Sequence, residues 1–181
     1  MPVEIRSLLR TDGETRSLGR YLGTILRAGD WVALRGQLGA GKTTLVSGIV
    51  EGIHPGTRGR SPTYVLVEVY GEGPRIVHAD LYRLTRPEEY ETLALDDMAA
   101  GDAVVLVEWA DRAEERLPDE RLDVELRYLD PSAGAGREIR LRPRGERWEE
   151  AAREGLLDRD RWHDARALTV DLHQDVRGAP S

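Results

Sequence analysis

The sequence predicts an α/β fold of three layers, with a mixed, mainly parallel central sheet that also carries an antiparallel hairpin and edge strands. A strand, a glycine-rich loop and a helix follow one another between residues 31 and 53, which is typical of a layered α/β domain. Residues 104–107 are a continuous apolar run, which suits a strand covered on both faces. Segments 64–79 and 122–142 alternate instead, so antiparallel strands are expected as well.

The first predicted helix spans residues 13–28, because apolar residues recur there at helical spacing. They are Leu18, Tyr21, Leu22, Ile25 and Leu26. Thr11 or Asp12 can cap the start of this helix, and Gly29 can end it. A buried strand at 31–35 and an amphipathic helix at 43–53 come next. A strand, a glycine-rich loop and a helix N-terminus in this order favour an anion site.

This loop contains the only lysine, Lys42, among 26 lysines plus arginines in the chain. The loop sequence, Gly36-Gln-Leu-Gly-Ala-Gly-Lys-Thr43, fits the phosphate-loop pattern G-x-x-x-x-G-K-[ST]. A compact ammonium can lie beside β- and γ-phosphate oxygens, which a bulkier guanidinium fits less well. We therefore predict a P-loop NTPase fold. The predicted nucleotide-binding residues of the loop are Gly36, Leu38, Gly39, Ala40, Gly41, Lys42, Thr43 and Thr44.

Two other interpretations fit the loop less well. A dinucleotide fingerprint needs G-x-G-x-x-G, whereas Gly36, Gly39 and Gly41 give G-x-x-G-x-G and are followed at once by Lys-Thr. An ordinary glycine-rich turn before a helix is the other alternative. The strand before the loop and the apolar helix after it favour the phosphate loop.

The elements after residue 60 alternate between strand and helix. Strands at 64–70 and 75–79 flank the turn Gly71-Glu-Gly-Pro74 and predict an antiparallel hairpin. A helix is expected to begin at Pro87, since proline suits a first helical turn and glutamates follow it. Further strands are expected at 104–107, 122–128 and 137–142, and in the last two the alternating polar residues are expected to face solvent.

The C-terminal part is predicted to be an appendage. Residues 146–157 suit an amphipathic helix whose apolar face carries Trp148, Ala151, Ala152 and Leu156. Polar and charged residues dominate after that helix, so a weakly packed or disordered tail is expected. We therefore divide the chain into a P-loop domain, 1–145, and a C-terminal helix with a flexible tail, 146–181.

Oxygen-bearing side chains near the predicted loop are candidates for a Mg²⁺ site, because Mg²⁺ prefers oxygen ligands, several of them water. Thr43 follows Lys42, and Glu108 follows the apolar run. Asp80 ends a strand and can join the metal shell, orient a water or accept a proton. The alternatives are that Glu108 is a surface acid and that Asp80 caps a turn. Thr63, in Ser-Pro-Thr, is a candidate γ-phosphate switch or simply part of a turn.

Composition narrows the classes of function. The net charge of −7 argues against a surface that binds nucleic acid throughout, so DNA is not expected and RNA contact is local or made through a partner. No run approaches the roughly 18 apolar residues of a membrane span. Cysteine is absent, which fits a reducing cytoplasm, and the four histidines lack the spacing of zinc ligands.

Taken together, the motifs resemble the TsaE (YjeE) family, small bacterial ATPases of tRNA threonylcarbamoyladenosine (t6A) synthesis. The matching blocks are 36–44, 61–64, 66–68, 78–83 and 106–109. The resemblance implies a P-loop ATPase that uses ATP and Mg²⁺. It also implies two partner proteins, TsaB and TsaD, which complete transfer of threonylcarbamoyl to N6 of adenosine 37 in ANN-decoding tRNAs. In that scheme ATP hydrolysis resets the TsaB–TsaD machine, and tRNA is met only through the complex.

The resemblance also implies roles for single residues. Thr43 and Glu108 would be metal ligands, and Asp80 a second acid of the metal and water shell. With Lys42 and the switch residue Thr63, the two acids would form the catalytic set. The residues that fall where the family builds its adenine pocket are Thr11, Asp12 and Arg137. Two departures are the additional C-terminal segment and Ala110, where relatives often carry proline.

Two other classes of function remain open. A P-loop small-molecule kinase needs an acceptor pocket and usually an arginine-bearing lid, whereas the stretch after Arg83 is acidic. A nucleotide-gated binding module would hydrolyse ATP negligibly. The arginines at 137, 140, 142, 144 and 147 suit either tRNA phosphates or, more simply, a solvated edge strand.

Overall fold

A mixed sheet of seven strands is the centre of the computed structural model within the residues it describes, which are 3–60, 66–101, 103–129 and 136–162. The strands are β1 (Ile5–Leu9), β2 (Trp31–Gly36), β3 (Val67–Tyr70), β4 (Arg75–Asp80), β5 (Ala103–Glu108), β6 (Arg121–Tyr128) and β7 (Arg137–Arg144). The α-helices are α1 (Asp12–Ile25), α2 (Lys42–Ile53), α3 (Leu95–Ala99) and α4 (Glu146–Arg153). Segments of 3-10 helix lie at Leu81–Arg83, Pro87–Leu93 and Ala110–Arg116. No helix in these parts of the chain has both the length and the apolar character that crossing a membrane requires.

The strand order across the sheet is β1-β7-β6-β2-β5-β4-β3. Strands β6, β2, β5 and β4 run parallel and form the middle of the sheet. Strands β7 and β1 extend it as antiparallel strands on one side, and β3 does so on the other. The predicted α/β fold with a mixed sheet is confirmed. The predicted hairpin is confirmed too, since Tyr70 of β3 lies opposite Ile76 of β4.

Apolar residues of the sheet divide between two cores, one on each face. Val32 and Leu34 of β2 pack in one core with residues of α1, α2 and α4. Trp31 and Ala33, which alternate with them, pack in the other core with residues of α3 and the 3-10 segments. Successive side chains of a strand point to opposite faces, so both faces of β2 are buried and the fold has three layers.

Helices α1 and α2 meet at a contact made by glycines. A Cβ on Gly19 of α1 would collide with the carbonyl oxygen of Leu45 in α2, and a Cβ on Gly48 would lie 2.9 Å from the Cα of Gly19. The two backbones therefore touch, because no side chain separates them. Helix α1 thus braces α2, which begins at Lys42.

The prediction that polar residues of β6 face solvent is wrong for Asp123, which is 2% exposed. Its carboxylate pairs with Arg35 at 2.9 Å, with Arg121 at 2.8 Å and also with Arg144. Alternation shows which residues share a face of a strand but not what covers that face. Here arginine side chains cover it.

Three other elements differ from the sequence-based expectation. Strand β1 was not predicted, yet it pairs antiparallel with β7 along its whole length. The helix expected from Pro87 is a 3-10 segment, after which Ala94, with a φ of 50°, leads into α3. Helix α1 ends at Ile25, before Gly29, because the backbone at Leu26 is already extended.

The first part of the C-terminal segment packs into the main core. Trp148 and Leu157 are 0% exposed, Trp162 is 4% exposed, and all three lie with the apolar residues of α1 and α2. The Tyr21 hydroxyl also donates a hydrogen bond of 2.8 Å to the carbonyl oxygen of Leu156. The division of the chain at residue 145 stays a prediction, and residues 163–181 lie outside the described residues.

Candidate nucleotide-binding site

The glycine-rich loop joins the carboxyl end of β2 to the start of α2. Gly36, Gly39 and Gly41 have φ values of 140°, 78° and 103°, a region that other residues enter only at a cost. A Cβ on Gly36 would also collide with the carbonyl oxygen of Leu126 on β6. The loop is therefore wound closely around the helix N-terminus, where backbone N–H groups and the helix dipole favour an anion.

Lys42 is a charged residue in a largely buried position, with 4% exposure. Its Nζ donates hydrogen bonds to the carbonyl oxygens of Gly36 at 2.7 Å and Gln37 at 2.9 Å. The same atom lies 3.8 Å from the centre of the Trp109 ring, within the range of a cation–π contact. Burial lowers the pKa of Lys42, whereas nearby carboxylates, first among them Glu108, act in the opposite direction.

An open cavity of about 350 Å³ lies between the loop and the carboxyl ends of β4 and β5. It is lined by Leu38, Gly39, Gly41, Lys42, Thr43, Thr44, Asp80, Tyr82, Arg83, Glu108 and Trp109. Most of the residues predicted for nucleotide and metal binding are thus brought together here. Gly36 and Ala40 do not line the cavity; Ala40 is 0% exposed and supports the loop from within.

The two predicted acids lie side by side. Asp80 and Glu108 are opposite each other in the parallel register of β4 and β5. The Thr43 hydroxyl donates to the carboxylate of Glu108, with oxygen–oxygen distances of 3.0 and 3.1 Å. Asp80 accepts a 2.9 Å hydrogen bond from the Tyr82 N–H, so it caps the first 3-10 segment and lines the cavity as well.

Sequence reasoning missed three cavity residues, Tyr82, Arg83 and Trp109. The indole of Trp109 covers Lys42 and stands 4.9 Å from the Tyr82 ring between centroids. Trp109 has a φ of 57°, an uncommon conformation for a bulky residue and one that recurs at functional sites. The positions of these residues directly after Asp80 and Glu108 were the available signal, because chain segments after such strand ends line the ligand edge of a sheet.

The remaining predicted residues, Thr11, Asp12 and Arg137, do not line the cavity. Thr11 caps α1 by accepting a 3.1 Å hydrogen bond from the Glu14 N–H. Arg137 pairs with Asp12 at 2.6 Å and donates to the Thr15 hydroxyl at 3.2 Å. Its guanidinium fills the space that a Cβ on the loop residue Gly41 would need. Thr63 lies outside the described residues, so its predicted switch role stays a prediction.

Comparison with known proteins identifies relatives of this chain and a solved structure with a similar fold. A model of the TsaE family, described as threonylcarbamoyl adenosine biosynthesis protein TsaE, matches residues 9–139. The tRNA threonylcarbamoyladenosine biosynthesis protein TsaE of Streptomyces coelicolor is 44% identical over an alignment of 140 residues that covers 74% of this chain and 93% of that protein. The protein of the same name from Bacillus subtilis is 36% identical over 137 residues, covering 75% of this chain and 84% of the relative.

A solved structure is similar over nearly the whole described fold. The crystal structure of Bacillus subtilis YdiB matches with a TM-score of 0.72 and 31% identity, and the match covers 88% of this chain and 98% of YdiB. The family match extends over most of the β-sheet, the phosphate loop and both acids of the cavity. With its P-loop NTPase fold, this chain belongs to the TsaE family of tRNA threonylcarbamoyladenosine biosynthesis.

Proposed function

We propose that this chain is a Mg²⁺-dependent ATPase that acts with TsaB and TsaD in threonylcarbamoylation of adenosine 37 of ANN-decoding tRNAs. The observation that carries the proposal is the contact of the Thr43 hydroxyl with the carboxylate of Glu108, at 3.0 and 3.1 Å. This contact joins the start of α2 to the end of β5, beside Lys42. The phosphate loop is therefore already in contact with an acid suited to hold a metal.

Lys42 supports phosphate binding in two ways. An ammonium has three N–H donors, and the carbonyl oxygens of Gly36 and Gln37 accept two of them. These two bonds hold the loop in shape, and the third donor can serve a β- or γ-phosphate oxygen. Because Lys42 is buried, its interaction with phosphate is screened less by water than at an exposed position.

The donor set around Glu108 fits Mg²⁺, which takes oxygen ligands and usually combines one or two carboxylates with water and substrate phosphates. Thr43, Glu108 and Asp80 would hold the ion. No group of three or more His, Cys, Asp or Glu suited to a metal is found in the described ranges, so nucleotide and water oxygens would complete the shell. When bound, Mg²⁺ would neutralise charge on the phosphate oxygens.

For hydrolysis, Asp80 is the residue best placed to orient a water or accept its proton. The hydrogen bond from the Tyr82 N–H anchors the Asp80 carboxylate at the cavity wall. Thr63 is proposed as the residue that senses the γ-phosphate.

Adenine binding is proposed beside the loop, at Thr11, Asp12 and Arg137. The support is the position of Arg137, which is 8% exposed, tied to Asp12 and in contact range of Gly41. A guanidinium is planar and can stack on a purine ring.

The proposed partners follow from the family. The named relatives are t6A biosynthesis proteins, and the net charge of −7 suits contact with tRNA through a complex better than direct binding. We propose that the protein acts in the cytoplasm, where tRNA is modified.

The test is ATP turnover by this chain alone and then with a matched TsaB–TsaD pair, with Lys42→Ala as the blank. A low rate that rises with the partners supports the proposal. No rise, with nucleotide binding retained, would favour the gated binding module. Transfer of phosphate to a small acceptor would favour a kinase.

A further inference from the structure

His78 is a fully buried titratable residue, with 0% exposure, that the proposed function does not use. It lies in the middle of β4, two residues before Asp80, so both side chains leave the same face of the strand. Its Nε2 is 3.0 Å from Oε1 of Glu108 on the neighbouring strand. The side chains of His78 and Glu108 lie on the face of the sheet that packs against α2, and α2 is the helix that contains Thr43.

The Glu108 carboxylate is thus held by two side chains. Thr43 contacts both of its oxygens, and His78 contacts Oε1 from within the sheet. The last torsion of a glutamate side chain is soft, with a broad energy minimum. Glu108 alone would therefore sample many rotations, whereas a buried partner inside the sheet fixes one of them.

The surroundings of His78 assign its tautomer. The carboxylate of Glu108 accepts hydrogen bonds, so Nε2 carries the proton and donates it. Nδ1 is buried without a hydrogen-bond partner among the described residues, and a buried acceptor without a partner is tolerated better than a buried N–H. The ring also stacks with Tyr70, whose ring centroid is 6.3 Å away with 25° between the planes.

We propose that His78 is a positioning residue that fixes the Glu108 carboxylate toward Thr43, where the metal would bind. The inference rests on the proposed function, because it assumes that Glu108 serves a Mg²⁺–nucleotide complex. Residues that orient the ligands of a metal from behind typically change metal affinity about tenfold to hundredfold when they are replaced.

The experiment compares His78→Met, which fills the space without a donor, with His78→Gln, whose amide nitrogen can reach Glu108. Binding of a fluorescent ATP analogue is measured with Mg²⁺ and with EDTA. We expect His78→Met to lose about tenfold to hundredfold affinity in Mg²⁺ and none in EDTA, and His78→Gln to recover most of that loss. Tyr70→Phe is the matched structural control, since it keeps the ring and should lower Tm without changing the dependence on Mg²⁺.

The possible results distinguish a failure of the role proposed for His78 from a failure of the proposed metal site. Equal losses with Mg²⁺ and EDTA, or a wild-type response to Mg²⁺ in His78→Met, would overturn the role of His78 and leave the proposed function standing. A wild-type chain that binds nucleotide without regard to Mg²⁺ would overturn the metal site itself and the inference with it.

A second measurement does not use His78→Met, so it can be made even if that variant does not fold. In chain labelled with ¹⁵N-histidine, the His78 signal is assigned by its loss in His78→Gln. We expect a protonated Nε2 whose signal shifts with Mg²⁺ plus nucleotide and not with nucleotide plus EDTA. A protonated Nδ1, or no shift, would overturn the proposal.

Discussion

Replacing Trp148 by alanine is expected to lower the free energy of unfolding by about 3–5 kcal/mol, the usual cost of removing a large aromatic side chain from a core. Trp148 is 0% exposed and is the largest of the fully buried side chains. Its indole N–H has no hydrogen-bond partner among the described residues. The cost therefore comes from lost packing and from the lost cation–π contact with the Arg147 guanidinium, 4.8 Å from the ring centre. The loss would be a large share of the roughly 5–15 kcal/mol that keeps a typical protein folded.

Urea unfolding followed by circular dichroism measures this loss without relying on tryptophan fluorescence. For a chain of this size, each kcal/mol corresponds to roughly 2–4 °C in Tm, so Tm should fall by about 6–20 °C. Glu150→Ala on the exposed side of α4 is the matched control and should stay within about 0.5 kcal/mol of wild type. A loss below about 1 kcal/mol for Trp148→Ala, outside the range for a packed core, would refute the reasoning and favour the predicted boundary at residue 145.

Lys42→Ala is expected to abolish ATP turnover and weaken nucleotide binding, because the phosphate partner and the bonds that shape the loop are lost together; unchanged affinity in calorimetry would contradict this. Glu108→Ala should weaken binding in Mg²⁺ more than in EDTA, whereas equal losses would indicate a structural role. Burial raises the pKa of Asp123, but its ion pairs with three arginines outweigh burial and hold that pKa below the usual value. Its stabilisation is therefore fully present above the unfolded pKa and is lost as pH falls through the lower folded value. Urea midpoints of wild type and Asp123→Asn should converge in acid, and a difference that stays constant down to about pH 3 would count against this account.

The parts of the fold that were predicted are those whose signal is local. The phosphate loop is recognised within eight consecutive residues, and β5 is an unbroken apolar run up to Glu108. Strand β1 could not be found in this way, because its partner β7 lies more than a hundred residues further along the chain. The burial of Asp123 was missed for a similar reason: Arg35 and Arg144 reach it from other strands.

The candidate site shows the same division. Thr43 was identified from the phosphate loop and Glu108 from the apolar run before it, and the structure brings the two residues together. His78 was visible in the sequence but had no recognisable ligand spacing, because its relation to Glu108 depends on the register between two strands. The proposed role of His78 is to orient a neighbouring side chain, and sequence spacing alone does not predict such a role.

The solitary lysine has a consequence for covalent chemistry. Because Lys42 carries the only side-chain amine of the chain and lines the cavity at 4% exposure, a reagent that acylates lysine side chains has a single target. The many arginines do not react in its place, since guanidinium groups stay protonated. The extent of acylation at Lys42, located by mass spectrometry so that the α-amino group is not counted, would therefore report whether the nucleotide cavity is open, filled or covered by a partner.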